Sequence, residues 1–381
     1  MVRINPILSE MGGNPVTRVQ DLAREFRRQG ERLIDFSIGD PREPTPEFIP
    51  QALRDAIPAV SQYPTTKGLG ELRTAIAGYV RRRFGVEVEP DTQVIPTSGS
   101  KEAIFSAPLA FVDRSRAEAV VWATPGYPIY RRGALLAGAR GVAVPLEGDF
   151  VFRSEQIPDR DWEEASMVWV CSPHNPTGAV SSFDTLAGFV ARGRETDVLV
   201  CADECYADLY ETEPPSSVLQ AAGEGASGVL SFLSLSKRSG MTGYRSGAIV
   251  GDPAAIAALV DLRQGTGTAS PEFIQAAAIA AWSDDAHAEE RRRIFSEKRR
   301  VLRDAFASAG LGVVASDAGL YLWVQVADDL VAAERLLAAG VVVSPGRAFG
   351  PGGEGHLRLA LVPTVDECAE AADAVVQVLT G

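Results

Sequence analysis

Apolar runs of strand length, repeated along the chain, constrain the fold more than any other feature of this sequence. They lie at residues 119–122, 167–171, 198–202, 229–235 and 246–250. Most are separated by about 30 residues with helical periodicity between them, which is the spacing of repeated βαβ units. The runs are nearly continuous in Val, Leu and Ala, as expected for strands that helices cover on both faces. The sequence therefore predicts an α/β fold with a mostly parallel central sheet.

From residue 284 onward the pattern changes. A long charged helix is followed by short apolar segments and a final helix, which is typical of a separate α+β domain. We predict an N-terminal segment (1–47) that packs with the small domain, a large domain (48–283) and a small C-terminal domain (284–381).

The acidic composition narrows the range of partners. The 381-residue chain has a formal net charge of -13, which argues against nucleic acid and membrane surfaces as partners because both bind a basic face. The basic stretch at 291–300 is interleaved with Glu289, Glu290 and Glu297, so we expect a solvated, ion-paired helix face there. The N-terminus lacks the apolar core of a signal peptide and no run approaches a membrane span, so we expect a cytoplasmic protein. The Cys and His residues lack metal-ligand spacing, so no metal site is predicted.

Polar motifs follow four of the predicted strands at the point where each strand ends. They are TPGYPIY after residue 122, SPHNPTG after 171, DECY after 202 and SKRSG after 235. Because ligands collect at the carboxyl ends of parallel strands, side chains from these motifs should converge on one crevice. The candidates are Tyr127, Asn175, Asp203, Tyr206 and Lys237.

A Gly/Ser turn that opens a helix, TSGSKEAI at 97–104, adds a candidate anion site. Its free backbone N–H groups and the positive end of the helix dipole suit a phosphate. Each motif alone is more often a helix cap or a turn. A lysine, however, is costly to bury unless its nitrogen has a chemical use. Combined with a buried carboxylate, a phosphate-type helix start and a stacking ring, it indicates an aldehyde cofactor with a phosphate tail and a pyridinium nitrogen.

In combination the motifs resemble those of the class I/II aminotransferases of pyridoxal 5'-phosphate (PLP) fold type I. The resemblance covers nearly the whole chain. It is carried by SIGDP at 37–41, YPTTKGLGELR at 63–73, SGSKEA, PGYPIY, SPHNPTG, DECY, SLSKRSGMTGYRSG and HLRLAL. The segment SLSKRSGMTGYRSG is closest to the succinyldiaminopimelate aminotransferase branch. The resemblance implies PLP as the cofactor and a central sheet with helices on both faces beside a smaller α+β domain.

The same resemblance implies roles for the residues at the strand ends. Lys237 would form the imine with PLP and then move the proton between the substrate Cα and the cofactor. Asp203 would pair with the pyridine nitrogen, while Asn175 and Tyr206 would hydrogen-bond the ring hydroxyl oxygen. Tyr127 would stack on the ring face.

Further residues are implied for the cofactor phosphate. Ser100 and Lys101 at the helix start, Ser234 and Arg245 would hold it through charge-assisted hydrogen bonds. In the family, the tyrosine that corresponds to Tyr63 reaches the phosphate of the neighbouring subunit. We therefore expect a homodimer with shared active sites.

The substrate site is expected around Arg358 in HLRLALV. Arg358 points to the opposite side of the strand from the neighbouring leucines, and its fork suits the substrate α-carboxylate. The resemblance adds Gly39 and Asn175 to this site. For the distal carboxylate of glutamate, the candidates for a second cation are Lys101 and Arg18.

Three classes of function compete. The first is a transaminase that moves an amino group between glutamate and an amino or keto acid, expected to be N-succinyl-LL-2,6-diaminopimelate, or one of broader aspartate, alanine or LL-diaminopimelate specificity. The second is a PLP-dependent β-eliminating lyase, which would use the same cofactor residues. The third, a non-catalytic sensor domain, usually follows a DNA-binding region, and here the first motif already begins at residue 37. The resemblance favours the transaminase, acting on small-molecule amino and keto acids.

Overall fold

The computed structural model describes residues 2–11 and 17–380, and for residues 17–19 only the backbone. The strands are β1 (Ile34–Asp35), β2 (Val94–Thr97), β3 (Ala119–Thr124), β4 (Arg140–Pro145), β5 (Ala165–Cys171), β6 (Leu199–Asp203), β7 (Val229–Ser234), β8 (Gly247–Gly251), β9 (Val313–Val314), β10 (Tyr321–Gln325), β11 (Val341–Val342), β12 (Ser344–Pro345) and β13 (His356–Ala360).

The helices alternate with the strands in the first two thirds of the chain. They are α1 (Ile7–Glu10), α2 (Thr17–Arg28), α3 (Phe48–Asp55), α4 (Gly70–Phe84), α5 (Pro90–Gln93), α6 (Ser100–Ser106), α7 (Pro108–Phe111), α8 (Ile129–Ala137), α9 (Asp159–Glu164), α10 (Phe183–Thr196), α11 (Val218–Ala222), α12 (Leu235–Arg238), α13 (Pro253–Thr266), α14 (Glu272–Ser283), α15 (Ala286–Ser308), α16 (Asp329–Ala338) and α17 (Val365–Thr380).

A seven-stranded sheet with the order β2-β8-β7-β6-β5-β3-β4 forms the centre of the molecule. Only β8 runs in the opposite direction to the other six strands of this sheet, so the predicted mostly parallel sheet is confirmed. Strands β3, β5, β6 and β7 are buried along nearly their whole length, as expected where helices cover both faces of a sheet. Because these strands are parallel, their carboxyl ends lie along one edge of the sheet.

A second core lies in the C-terminal part of the chain. A four-stranded antiparallel sheet with the order β12-β13-β10-β9 packs with the long helices, and β11 pairs with β1 near the N-terminus. Phe36 is buried in this core together with Leu302 and Leu322, so an N-terminal segment packs on the C-terminal part. The exact boundaries at 47/48 and 283/284 stay a prediction.

Helix α15 differs from the exposed helix face that its charge pattern predicts. Arg291, Lys298 and Arg299 are buried. Their partners come from other segments, because Lys298 forms an ion pair with Glu43 and Arg299 lies 3.4 Å from Glu211. The expectation of a solvated face on α15 is therefore wrong for these three cations, since the sequence does not show acidic partners that are distant along the chain.

The described residues show neither a membrane-spanning helix nor a cluster of metal ligands. No helix in this part of the chain is long and apolar enough to cross a membrane. Among the same residues, no group of three or more His, Cys, Asp or Glu side chains is placed to hold a metal ion.

Candidate active site

A cavity of about 1060 Å³ opens at the carboxyl edge of the central sheet. Strands β3, β5, β6 and β7 each end at this edge, and β13 of the second sheet closes the opposite side. The predicted site residues that line the cavity are Gly39, Ser100, Lys101, Tyr127, Asn175, Asp203, Tyr206, Ser234, Lys237, Arg245 and Arg358. The topology therefore brings eleven residues from distant parts of the sequence to one place.

Lys237 lies on the short helix α12, directly after β7. The Ser234 hydroxyl caps this helix by accepting a hydrogen bond from the Ser236 backbone N–H at 3.1 Å. The Lys237 ammonium group donates a hydrogen bond to the carbonyl oxygen of Gly39. Burial lowers the pKa of Lys237 to about 8, because a low-dielectric environment disfavours the charged form. About a tenth of this amine is therefore neutral and nucleophilic at pH 7, far more than for an exposed lysine.

Asp203 ends β6 and is almost completely buried, with 3% of its surface exposed. One carboxylate oxygen, Oδ1, accepts a hydrogen bond from the Cys205 backbone N–H at 3.3 Å, and Oδ2 accepts one from the Tyr130 hydroxyl at 2.8 Å. Burial raises the pKa of Asp203, and these hydrogen bonds oppose that rise. Within residues 2–11 and 17–380 it forms no ion pair, so the site suits a ligand that carries positive charge on a ring nitrogen.

Asn175 and Tyr206 lie side by side between the two sheets. The Asn175 amide nitrogen is 3.4 Å from the Tyr206 hydroxyl, which is itself 2.9 Å from the hydroxyl of Tyr321. Burial raises the pKa of Tyr206 well above its usual value, so its hydroxyl stays protonated and can donate. Asn175 and Tyr206 can therefore donate hydrogen bonds to a polar substituent on a bound ring.

Arg358 is 7% exposed and lies on β13, which is flanked by β12 and β10 and is not an edge strand. Its Nη1 donates to Asn175 Oδ1 at 3.1 Å and its Nη2 to the Ser37 carbonyl oxygen at 2.7 Å. The guanidinium lies 4.4 Å from the ring centres of both Tyr321 and Phe349. Arg358 Nε has no partner among the described residues. The guanidinium therefore keeps unused N–H groups in the cavity that can bind a carboxylate.

The start of helix α6 forms the anion site that the Gly/Ser turn predicts. Gly99 has a φ angle of 83°, and a Cβ atom at this position would collide with the Arg245 guanidinium. Arg245 thus lies directly against the turn, beside the free N–H groups at Ser100. A phosphate at this position would meet backbone donors, a hydroxyl and a guanidinium, so the residues present fit the phosphate of PLP.

Three predicted residues stand apart from this cluster. Lys101 lines the cavity but is exposed, and it forms no ion pair in the part of the chain that is described. Tyr63 is fully exposed and does not line the cavity of its own chain, so its predicted reach into a neighbouring subunit stays a prediction. The side chain of Arg18 lies outside the described residues, as does most of the loop at 11–18.

The sequence did not predict two residues at the site, Tyr130 and Tyr321. Tyr130 is three positions after Tyr127 in the motif PGYPIY, and this helical spacing could have suggested that the two rings meet. Tyr321 contacts the site from β10, and no local pattern marks it. The position of Tyr321 also explains why residue 39 is a glycine, because a Cβ atom at Gly39 would lie 2.7 Å from the Tyr321 hydroxyl.

The fold and the cavity together define an enzyme whose site fits PLP. The chain matches the family model described as aminotransferase class I and II over residues 31–375, and it belongs to that family. It is therefore a PLP-dependent transaminase that acts on small-molecule amino and keto acids.

Relatives with known names show the same family. The chain is 35% identical over 362 residues to an LL-diaminopimelate aminotransferase of Aquifex aeolicus, covering 92% of this chain and 93% of that protein. It is 38% identical over 343 residues to OxyQ of Streptomyces rimosus, a 4-dedimethylamino-4-oxo-anhydrotetracycline transaminase, covering 89% and 92%. The solved structure of a probable N-succinyldiaminopimelate aminotransferase of Thermus thermophilus has a TM-score of 0.88 and 27% identity, covering 95% of this chain and 99% of that one.

Proposed function

We propose that the protein transfers an amino group between a long dicarboxylic diamino acid of the LL-2,6-diaminopimelate class and 2-oxoglutarate, with glutamate as the other product. The free diamino acid is the first candidate, because a relative that is 35% identical is named for it. The N-succinyl derivative, favoured by the segment SLSKRSGMTGYRSG, is the second candidate and has support from a solved structure of similar fold.

The observation that carries this proposal is the distribution of cations around the cavity. Arg358 can bind the α-carboxylate shared by both substrates. Lys101, Arg131 and Arg132 also line the cavity, and none of the three forms an ion pair with a carboxylate among the described residues. Arg131 donates only to the carbonyl oxygen of Glu10, at 2.9 Å, and Arg132 Nε is buried without a partner. Arg358 can therefore bind the α-carboxylate of a dicarboxylic substrate, while one of the other three cations binds its distal carboxylate.

When bound, PLP supplies an electron-accepting ring conjugated to the substrate nitrogen. In our proposal, Arg358 binds the α-carboxylate and so fixes which side of the substrate Cα faces Lys237. Lys237 then accepts the proton from Cα and returns a proton during the transfer of the amino group. A pKa of about 8 for the unmodified amine suits a group that must act as both base and acid near neutral pH.

The remaining residues hold the cofactor in place. Asp203 keeps a proton on the ring nitrogen, and Tyr206 and Asn175 donate hydrogen bonds to the ring hydroxyl oxygen. Ser100, Ser234 and Arg245 bind the phosphate. Tyr127 covers one ring face. We propose further that Tyr63 completes the phosphate site of a second subunit in a homodimer.

A panel of amino donors tests the substrate assignment. We expect LL-diaminopimelate, with 2-oxoglutarate as acceptor, to give a kcat/KM at least about tenfold above those of alanine and aromatic amino acids, which corresponds to about 1.4 kcal/mol of transition-state binding. A tenfold preference for the N-succinyl derivative would select the second candidate. A preference for alanine or an aromatic donor would refute both and leave a transaminase of different specificity.

The lyase alternative has its own test, because it shares every cofactor residue. A β-substituted amino acid such as β-chloroalanine is incubated with the enzyme, and pyruvate and ammonia are measured. We expect stoichiometric 2-oxoglutarate from glutamate and only slow pyruvate release. Pyruvate release faster than amino transfer would favour the lyase.

A further inference from the structure

Tyr130 is a buried tyrosine that touches the cofactor-binding aspartate, although no substrate or phosphate role has been assigned to it. Its hydroxyl donates to Asp203 Oδ2 at 2.8 Å. Its ring stacks on Trp169 with centroids 5.2 Å apart and planes 16° apart, and it meets Tyr127 edge-on at 5.6 Å. Two aromatic neighbours thus fix the direction in which the Tyr130 hydroxyl points.

We propose that Tyr130 is a positioning residue that holds Asp203 as a carboxylate, oriented toward the ring nitrogen of PLP. This inference rests on the PLP dependence of the enzyme and not on the identity of its substrate. Tyr130 acts through Asp203 and does not itself touch the reacting atoms of the substrate.

The argument starts from the hydrogen bonds of Asp203. The bond from Tyr130 is 2.8 Å long, whereas the one from the Cys205 backbone is 3.3 Å. The Cys205 side chain also hydrogen-bonds Asp203, and its bond and that of Tyr130 both lower the pKa of this carboxyl group. Each carboxylate oxygen can accept two hydrogen bonds. Asp203 can therefore accept both from Tyr130 and from a protonated ring nitrogen.

The side chains around Asp203 show why the hydrogen bond from Tyr130 affects its pKa. The titratable side chains around it are Tyr127, Tyr130, Cys171, Cys205, Tyr206 and Tyr321. Burial raises the pKa of every one of them, so all are neutral at neutral pH. Lys237, Arg245 and Arg358 line the same cavity but form no ion pair with Asp203 within the described residues. Hydrogen bonds are therefore the interactions among the described residues that oppose the rise in the pKa of Asp203 that burial causes.

Loss of the hydroxyl has a defined chemical consequence. A carboxylate with one donor fewer is more basic, so the proton shared with the ring nitrogen moves toward Asp203. The ring then loses positive charge, and two properties change together. The enzyme-bound imine on Lys237 becomes easier to protonate, and the ring becomes a weaker electron acceptor.

The test compares Tyr130→Phe with the matched control Tyr79→Phe. Tyr79 is also a buried tyrosine that donates to an aspartate, with 2.9 Å between its hydroxyl and Asp208 Oδ2, but Asp208, unlike Asp203, does not line the cavity. For Tyr130→Phe we expect the pH midpoint of the bound cofactor absorbance, measured without substrate, to rise by about one unit. We also expect PLP affinity to fall about tenfold, and kcat to fall roughly 10- to 100-fold with little change in the KM for glutamate.

The control variant should lower the melting temperature of the apoprotein without moving the cofactor midpoint. A midpoint shift of equal size in Tyr79→Phe would overturn the proposal, and so would a Tyr130→Phe protein whose only change is in melting temperature. A Tyr130→Phe apoprotein that fails to fold would also overturn it, because the role would then be structural.

A second comparison tests whether Tyr130 acts through Asp203. In the Asp203→Asn background, Tyr130→Phe should cause no further shift of the cofactor midpoint, because the group that it influences has lost its charge. A further shift of about one unit in this background would refute the mechanism. None of these titrations uses an amino donor, so the result is independent of whether diaminopimelate is a substrate.

Discussion

Replacement of Arg358 by lysine tests how the substrate carboxylate is bound. An arginine side chain carries five N–H donors in a fixed plane, and two of its nitrogens already donate to Asn175 and to the Ser37 carbonyl oxygen. The remaining N–H groups, including that on Nε, have no partner among the described residues. A lysine ammonium keeps the charge but cannot make the same planar, two-point contact with a carboxylate.

The expected loss can be worked from these contacts. A hydrogen bond to a charged group contributes about 1.5–3 kcal/mol, and Arg358→Lys removes about one such bond between enzyme and substrate. The kcat/KM should therefore fall roughly 10- to 150-fold, since about 1.4 kcal/mol corresponds to tenfold. The loss should be similar for the amino donor and for 2-oxoglutarate, because the same arginine binds the α-carboxylate of both.

Steady-state kinetics with both substrates, together with PLP titration of the apoprotein, measure this effect. Arg347→Lys is the matched control, because Arg347 lines the same cavity but its Nε already donates to both oxygens of Asp329, at 2.9 and 3.0 Å. We expect the control to change kcat/KM less than about threefold and PLP affinity to be unchanged in both variants. Equal losses in the two variants, or a loss confined to PLP binding, would refute this role of Arg358.

Three further predictions concern the cofactor and the assembly. Burial lowers the pKa of Lys237 to about 8, and only the neutral amine attacks an aldehyde. The rate of PLP attachment to the apoprotein, followed by absorbance, should therefore rise with pH and level off above about 8; a rise that continues to pH 10 would contradict this. Lys237→Ala should still bind PLP, yet borohydride should no longer trap it, and amino transfer should fall by at least roughly 10²- to 10⁴-fold; trapping on another lysine would be inconsistent. Mixing and refolding impaired Tyr63→Phe and Arg358→Lys proteins should restore part of the activity if a homodimer shares its active sites, whereas no recovery would favour separate sites.

The sequence predicts the centre of the fold better than its edges. Strands β3, β5, β6, β7 and β8 coincide with the apolar runs, because each is buried and so must be apolar along its length. Strand β2 is short and contains Pro96, and β4 at the sheet edge is mostly exposed, with only Val144 buried. Neither segment has the continuous apolar signal that marks a central strand.

The sequence also predicts the centre of the site better than its surroundings. Strand-end motifs predict which polar residues meet, because parallel strands place their carboxyl ends together. Contacts between distant segments carry no such local signal. The bond from Tyr130 to Asp203, the contact between Tyr321 and Arg358, and the burial of Lys298 against Glu43 all depend on tertiary packing.

The proposed reaction is tested most directly by a single half-reaction. The PLP form of the enzyme is mixed with excess glutamate in the absence of a keto acid, and the bound cofactor and the released products are measured. We predict conversion of the cofactor to pyridoxamine 5'-phosphate with one 2-oxoglutarate released per subunit and no ammonia. Release of ammonia, or 2-oxoglutarate without conversion of the cofactor, would contradict amino transfer between glutamate and this enzyme.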